Sequence, residues 1–394
     1  MIFKDRVSWL LLVFASIYIM GNIGSGSLST WDEAIYANIS ASILKTGDWL
    51  IMHDGARQWF EKPPLYMWST AVLYKLIGIN EFSTRLTGAF FAFLTILVTY
   101  LFVKKNYGSN VAMLSALLLL ASPHYLHYSK MGMLDVTLTF FVASMVFLFW
   151  EGQKKPYLLF WSGMALLFAY LTKGMAAMFG PATILLFCLL SGNARMLVKR
   201  EFLAGISVSL FLILAWHFLQ HIYGGPAAVD SYFGTHLFRR TAQALDGHTG
   251  GLNFYQKAIF NKNKPWGIIY YPALAYAAWL SFKSKDKKAI LFTCWAAAVF
   301  IICTIVRTKL HWYIVPIYPA LAVVSAVFLE RFFKGKLFYT VAAVILVGMI
   351  IQVPISYAFK LDFNQKAKSA ALNSITLPYE DGGTIFYSKT IRDN

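Results

Sequence analysis

Apolar residues in this chain come in blocks of roughly 17–22, repeated along its length. At 1.5 Å of helix rise per residue, each block is long enough to cross a ~30 Å hydrocarbon core. Of 394 residues, 58% are hydrophobic and 13% charged, against about 45–50% apolar and about 25% charged in water-soluble domains. A soluble globule is excluded, and so are a disordered chain, collagen and a disulfide scaffold. The fold class is all-α: a polytopic membrane protein.

About 11 transmembrane helices follow from the blocks, at 7–23, 85–103, 110–128, 135–150, 157–172, 176–191, 202–222, 266–282, 289–306, 312–330 and 337–356. Pro63–Gly78 is apolar but short and carries Lys75, so it reads as an interfacial or re-entrant helix. Val7–Ile23 lacks an A-x-A cleavage site and reads as a first span rather than a signal peptide. Cys188, Cys294 and Cys303 lie inside apolar blocks without metal-ligand spacing and are expected in the core.

The net charge of +17 does not point to nucleic acid, because lysine and arginine sit in short clusters between apolar blocks. One alternating set holds Lys4 and Arg6, Lys104 and Lys105, Lys154 and Lys155, and Arg195, Lys199 and Arg200. It continues with Lys283, Lys285, Lys287 and Lys288, and then Arg331, Lys334 and Lys336. The positive-inside rule places these loops in the cytoplasm. The other set faces outward: a first outer loop at 24–84, a long outer loop at 223–265, shorter turns at 129–134, 173–175 and 307–311, and a tail at 357–394 after a membrane domain at 1–356. Outer loops mix Asp, Glu, His, Arg, Trp and Tyr, so the function is expected on that face.

In the first outer loop, Thr30-Trp31-Asp32-Glu33 reads as a capping box in which Glu33 reaches back to the helix start. Ile35, Ile39 and Ile43 then recur at helical spacing and Gly47 is a stop signal, so 31–46 is expected as an amphipathic helix on the outer membrane surface. Asp32 is not explained by capping. It sits in the first turn, where the helix dipole favours an ionised carboxylate, at a membrane boundary where an unused charge is costly. Glu61-Lys62-Pro63-Pro64 places two opposite charges on a stiffened extended segment that permits a helix to start at Pro64.

These residues carry a resemblance. Trp31-Asp32-Glu33-Ala34-Ile35-Tyr36-Ala37, then Gly47-Asp48-Trp49, then Phe60-Glu61-Lys62-Pro63-Pro64-Leu65-Tyr66 resemble the first outer loop of the lipid-linked-sugar transferases of the GT-C fold. That family includes the 4-amino-4-deoxy-L-arabinose lipid A transferases and, more distantly, the protein O-mannosyltransferases. Met131-Gly132-Met133-Leu134-Asp135 is similar to the family's second acidic motif, and Leu171-Thr172-Lys173-Gly174 to its T-K-G motif. His236-Leu237-Phe238-Arg239 with His248 resembles its long outer loop, and Lys309 to Pro316 its K-x-x-x-Y-I-x-P motif. Ile35 stands where the aminoarabinose enzymes carry arginine, and the tail is shorter than their extra helices and outer domain. Both departures count against lipid A as the acceptor, not against sugar transfer.

The resemblance implies transfer of a sugar from a polyprenyl-phosphate donor to an extracytoplasmic acceptor, in a bacterial inner membrane. Direct displacement with inversion needs one carboxylate beside the acceptor and cations on the departing phosphate. Asp32 and Asp135 are the expected carboxylates; a salt bridge from Asp135 to Lys130 is the plainer alternative. Lys62, Lys173, Arg239, Lys309 and Tyr313 are expected at the donor phosphate. The resemblance also implies a divalent cation, zinc or similar, on Glu61 and His236. His124, Tyr125, His127, Tyr128, Trp31, Trp59 and Trp312 are expected in the interfacial belt. A secondary transporter or flippase is the competing reading, but transporters place their coupling charges near the bilayer midplane.

Overall fold

The structure is a computed structural model that describes residues 6–29, 31–239 and 248–351. The tail at 357–394 lies outside the described residues. The described residues are almost entirely helical, with one two-stranded hairpin among them, β1 (His53–Asp54) and β2 (Arg57–Gln58), in the first outer loop. Among the described residues six helical stretches are long and apolar enough to cross a membrane, or seven if the bent pair α5 (Ser109–Ala121) and α6 (Pro123–Ser129), angled at 72°, is one span. Five of the six are, in chain order, α4 (Glu81–Tyr107), α7 (Leu134–Gly152), α10 (Arg200–Gly224), α15 (Lys287–Ile305), and the unit formed by His311–Ile317 with α16 (Tyr318–Phe332).

The sixth stretch, Tyr157–Ser191, has 35 residues and would be ~52 Å long if straight. Contacts with α7 show that it is a hairpin. In α8 (Tyr157–Lys173), Lys173 meets Asp135 at the start of α7, Ser162 donates to the Met145 carbonyl at 2.7 Å, and Leu159 lies against Gly152. That order makes α8 antiparallel to α7. In α9 (Phe179–Ser191), Gly180 lies against Met145 and the Phe187 ring is 5.9 Å from Trp150, so α9 runs back parallel to α7. The reversal follows Gly174, whose φ of +58° favours glycine. The reversal falls between the two blocks expected at 157–172 and 176–191.

Three other expected spans correspond to shorter helices: α1 (Arg6–Met20), α14 (Gly267–Lys283) and α17 (Gly335–Ile351). The expected non-spanning segment is α3 (Leu65–Ile77). Tyr74 bonds Thr84 Oγ1 at 2.6 Å and Thr70 bonds Thr87 Oγ1 at 2.9 Å, so α3 lies across the first turns of α4. The three cysteines are free and buried, as expected.

The basic loops gather at one end. Lys105 pairs with Glu151, Lys288 donates to the Asn106 carbonyl at 2.8 Å, and Lys287 to Asn193 at 3.2 Å. Lys104 reaches Ser8 Oγ at 2.8 Å.

The opposite end is organised by a contact that sequence reasoning missed. The Arg85 Nε donates to Glu33 Oε1 at 2.8 Å, while its two terminal nitrogens donate to the carbonyls of Ile23, Ser25, Gly26 and Ser27. Glu33 also accepts from the Gly132 N–H at 2.8 Å and the Ser29 N–H at 2.6 Å. Both side chains are buried. The capping-box reading of Glu33 is corrected accordingly. Thr30 lies outside the described residues, and Trp31, at the cap position of α2 (Asp32–Thr46), makes no side-chain cap bond. Glu33 instead ties α2 to α4 and to the loop before α7. Eight of the 15 residues of α2 are buried against neighbouring elements.

A buried ion pair broken on one side leaves an uncompensated charge, which costs about 3–5 kcal/mol. Arg85→Ala and Glu33→Ala are each expected to destabilise the detergent-solubilised protein by that order. Glu33→Gln/Arg85→Met is expected to cost clearly less than the two alanine effects added together. Thermal unfolding of the four proteins measures this, and strict additivity would mean that the pair is not a unit.

Candidate active site

Four elements converge at the Glu33–Arg85 end. The first turn of α2 brings Asp32, half-buried, and Trp31 before it holds φ +72° and ψ −128°, a conformation that non-glycine residues rarely adopt. The loop Met131–Met133 brings Asp135 into the first turn of α7. It approaches α4 so closely that a Cβ at Gly88 would stand 2.7 Å from the Met131 carbonyl oxygen. The end of α8 brings Lys173, and the 3₁₀ segment His311–Ile317 brings Tyr313.

Asp135 and Lys173 are the centre. The ammonium bonds Asp135 Oδ1, both side chains are almost wholly buried, and the lysine nitrogen lies 4.9 Å from the centre of the Tyr313 ring. The expected alternative, a bridge from Asp135 to Lys130, is not formed; Lys130 donates to the Gly21 carbonyl at 3.1 Å. Asp135 Oδ2 is buried and accepts no hydrogen bond among the described residues. A buried carboxylate oxygen left open is expensive and marks where a donor from outside would bind.

Tyr36, one turn into α2, reports the surrounding charge. Burial, then the carboxylates of Asp32, Asp135 and Glu61, raise its phenol well above the usual range, so it stays a neutral donor. Those three acids and Tyr313 therefore lie around one buried phenol. Trp59, expected in the interfacial belt, is instead buried edge-on to Tyr36. His124 and Tyr125 are buried too, with His124 Nδ1 2.7 Å from the Tyr318 hydroxyl.

Lys62 donates to the Glu61 carbonyl at 3.2 Å and stays half-buried beside it. Lys309 is placed differently from expectation. Its ammonium donates to the carbonyls of Cys303, Thr304 and Val306, so its three protons cap the end of α15. Burial lowers its pKa. It serves the helix end rather than an open anion site. The side chains of His236 and Arg239, in the π-helix α12 (Asp230–Arg239), lie outside the described residues. Among the described residues no three His, Cys, Asp or Glu side chains group as metal ligands do.

The long outer loop nevertheless reaches the centre through Tyr232. A Cβ on Gly174 would stand 2.1 Å from the Tyr232 hydroxyl oxygen. Tyr232 also packs against His217, which bonds the Tyr170 hydroxyl at 2.7 Å. Sequence reasoning missed this wedge; the T-K-G run was its only trace.

With this geometry in place, comparison with known proteins is informative. Residues 61–218 match the family described as dolichyl-phosphate-mannose-protein mannosyltransferase. The undecaprenyl phosphate-alpha-4-amino-4-deoxy-L-arabinose arabinosyl transferase of Erwinia tasmaniensis is 24% identical over 350 residues, covering 82% of this chain and 59% of that protein. The crystal structure of ArnT from Cupriavidus metallidurans bound to undecaprenyl phosphate superposes with a TM-score of 0.77 at 26% identity, over 89% of this chain and 64% of ArnT. This chain has the GT-C fold. It resembles the aminoarabinose transferases, and the protein O-mannosyltransferases beyond them. The oligosaccharyltransferase of Archaeoglobus fulgidus, at 14% identity and a TM-score of 0.61 over 89% of this chain and 54% of its own, shares the fold alone. The chain spans about three fifths of the length of the arabinosyl transferases it matches.

Gly174→Ala is expected to destabilise the protein by about 1–3 kcal/mol, through a strained φ and the collision with Tyr232. Tyr232→Phe removes the colliding oxygen and leaves the nearest ring carbon at 3.2 Å, so the double variant is expected to regain part of the loss. A double variant no more stable than Gly174→Ala in chemical denaturation would exclude the wedge.

Proposed function

We propose that this chain is an integral-membrane glycosyltransferase that moves a sugar from a polyprenyl-phosphate donor to an extracytoplasmic acceptor, with inversion. The carrying observation is the buried Lys173–Asp135 pair with its open Oδ2, set among Asp32, Glu61 and Tyr313 at one end of a fold shared with an undecaprenyl-phosphate-bound transferase. Charges gathered at one end favour surface chemistry on a lipid head over a transport path through the midplane. The lysine-rich end faces the cytoplasm by the positive-inside rule, which turns the candidate site outward in a bacterial inner membrane. About 11 crossings and a hexosyl or pentosyl substrate belong to the same reading.

In the reaction, the acceptor oxygen attacks the anomeric carbon, and the bond from that carbon to the phosphate oxygen breaks. Asp32, reached from the aqueous side, orients the acceptor hydroxyl and takes its proton. Lys173 neutralises the charge that grows on the departing phosphate, and Tyr313 and Lys62 complete the phosphate's surroundings with Arg239 from the long loop. Asp135 holds Lys173 in place beforehand and offers Oδ2 to the acceptor. Glu61 and His236 would hold a divalent cation. Two donors are fewer than a resident zinc takes. Elemental analysis of the purified protein tests the cation, and a content far below one equivalent removes it from the reading.

Protein in lipid nanodiscs, given labelled polyprenyl-phosphate sugar and an envelope lipid extract, is expected to release polyprenyl phosphate. Asp32→Asn and Asp135→Asn are each expected to lower the rate by about 10²–10⁴. Lys173→Gln is expected to weaken undecaprenyl-phosphate binding at least about tenfold, the loss of one charge-assisted contact. Full turnover by both asparagine variants would remove the roles assigned here.

A further inference from the structure

A narrow cleft opens at the end of the molecule remote from Asp135, between the end of α4, the last turns of α14, the start of α15 and the middle of α16. Tyr107, Leu280, Asp286, Phe292, Val324 and Val327 line it, and its volume is about 30 Å³, room for the last carbons of a chain. Its walls are apolar, and its polar groups sit at the mouth.

The turn between α14 and α15, beside the cleft, is basic. Lys283, Lys285, Lys287 and Lys288 flank one acid in sequence, Asp286, which lines the cleft and whose Oδ1 accepts the N–H groups of Lys288 and Ala289 at 2.8 and 3.1 Å as the cap of α15. Lys287 is directed to Asn193 and Lys288 lies 4.4 Å from the Tyr107 ring centre. Lys283 and Lys285 are exposed and form no ion pair among the described residues. Lys283 extends over the Trp279 ring at 5.5 Å, and Trp279 and Phe282 are exposed beside it. An exposed tryptophan under a lysine marks the headgroup level of a bilayer. Two other basic groups of these loops, Lys105 and Lys334, are instead neutralised by Glu151 and Glu330.

We propose that this cleft binds an anionic phospholipid of the cytoplasmic leaflet. The lipid phosphate rests on Lys283, Lys285 and Lys288, and the end of one acyl chain enters between Leu280, Phe292, Val324 and Val327. Surplus positive charge beside the cleft selects an anionic head over a zwitterionic one, and a basic pocket between membrane helices is a recurrent way to hold such a head. The apolar slot gives the bound lipid a fixed place, which a solvated lysine loop would not. The site shares no residue with the sugar-transfer centre and stands whether or not that reading holds.

The test uses the full chain in phosphatidylcholine nanodiscs, with cardiolipin titrated in and retention measured by native mass spectrometry. Wild-type protein is expected to keep cardiolipin in preference to phosphatidylcholine. Lys283→Gln/Lys285→Gln, both at exposed positions, is expected to bind about 25-fold more weakly, roughly fivefold per lysine. Val327→Phe, which fills the slot and leaves every lysine in place, is expected to lose the preference while unfolding at the wild-type temperature in phosphatidylcholine alone. Equal retention of both lipids by the wild type, or undiminished binding by either variant, would overturn the proposal.

Discussion

The Arg85–Glu33 pair is the constraint on which the end holding the candidate site depends. An arginine inside an apolar helix is tolerated only if its charge is matched and its N–H groups find acceptors. Arg85 meets both conditions through Glu33 and four carbonyls in the segment 23–27. The same carboxylate takes the Gly132 N–H, three residues before Asp135, and lies next to Asp32 in sequence. One ion pair therefore fixes the separation of the two acids assigned to chemistry. Neither partner needs to touch a substrate for its loss to matter.

The pairing of Lys173 with Asp135 follows the same electrostatics. A charge at the buried end of α8 is costly without a counter-ion, and the fold supplies one in advance, with the face of Tyr313 beside it. In the proposed reaction the phosphate would meet a cation already desolvated and oriented. Gly174 admits no side chain because Tyr232 stands there, so the loop after α10 is keyed to the same turn. Positioning of the cation thus depends on three segments distant in sequence.

Much of this was legible beforehand, and the reasons are physical. Block length predicts helices, and alternating lysine clusters sort their ends; contacts of Lys105, Lys287 and Lys288 join those clusters at one end as expected. Asp135 and Lys173 stood out because charges beside apolar blocks are costly without a use. Glu33 was misread because an acid in a helix's first turn already has a local explanation, and a local pattern carries no information about Arg85, 52 residues away. The signal that could have found it was Arg85 itself, a lone cation at the head of an apolar block. Lys309 was misread for the converse reason: a lysine in a phosphate-like motif looks available, while only the fold shows its protons spent on the end of α15.

The two ends of the molecule handle positive charge in opposite ways. At the remote end lysines are mostly exposed, and at Lys283 and Lys285 they form no ion pair among the described residues. At the candidate site four cations are buried or half-buried and bonded, Arg85 to Glu33, Lys173 to Asp135, Lys309 to a helix end and Lys62 to the Glu61 carbonyl, while Arg57 and Arg307 stay exposed. Exposed lysines act as screened charges facing a membrane surface. Buried, directed ones keep their strength, because little water is present to weaken them. Stabilising one developing charge at one position requires the second kind. That difference in burial, more than the count of basic residues, separates the end proposed for chemistry from the lysine-rich end.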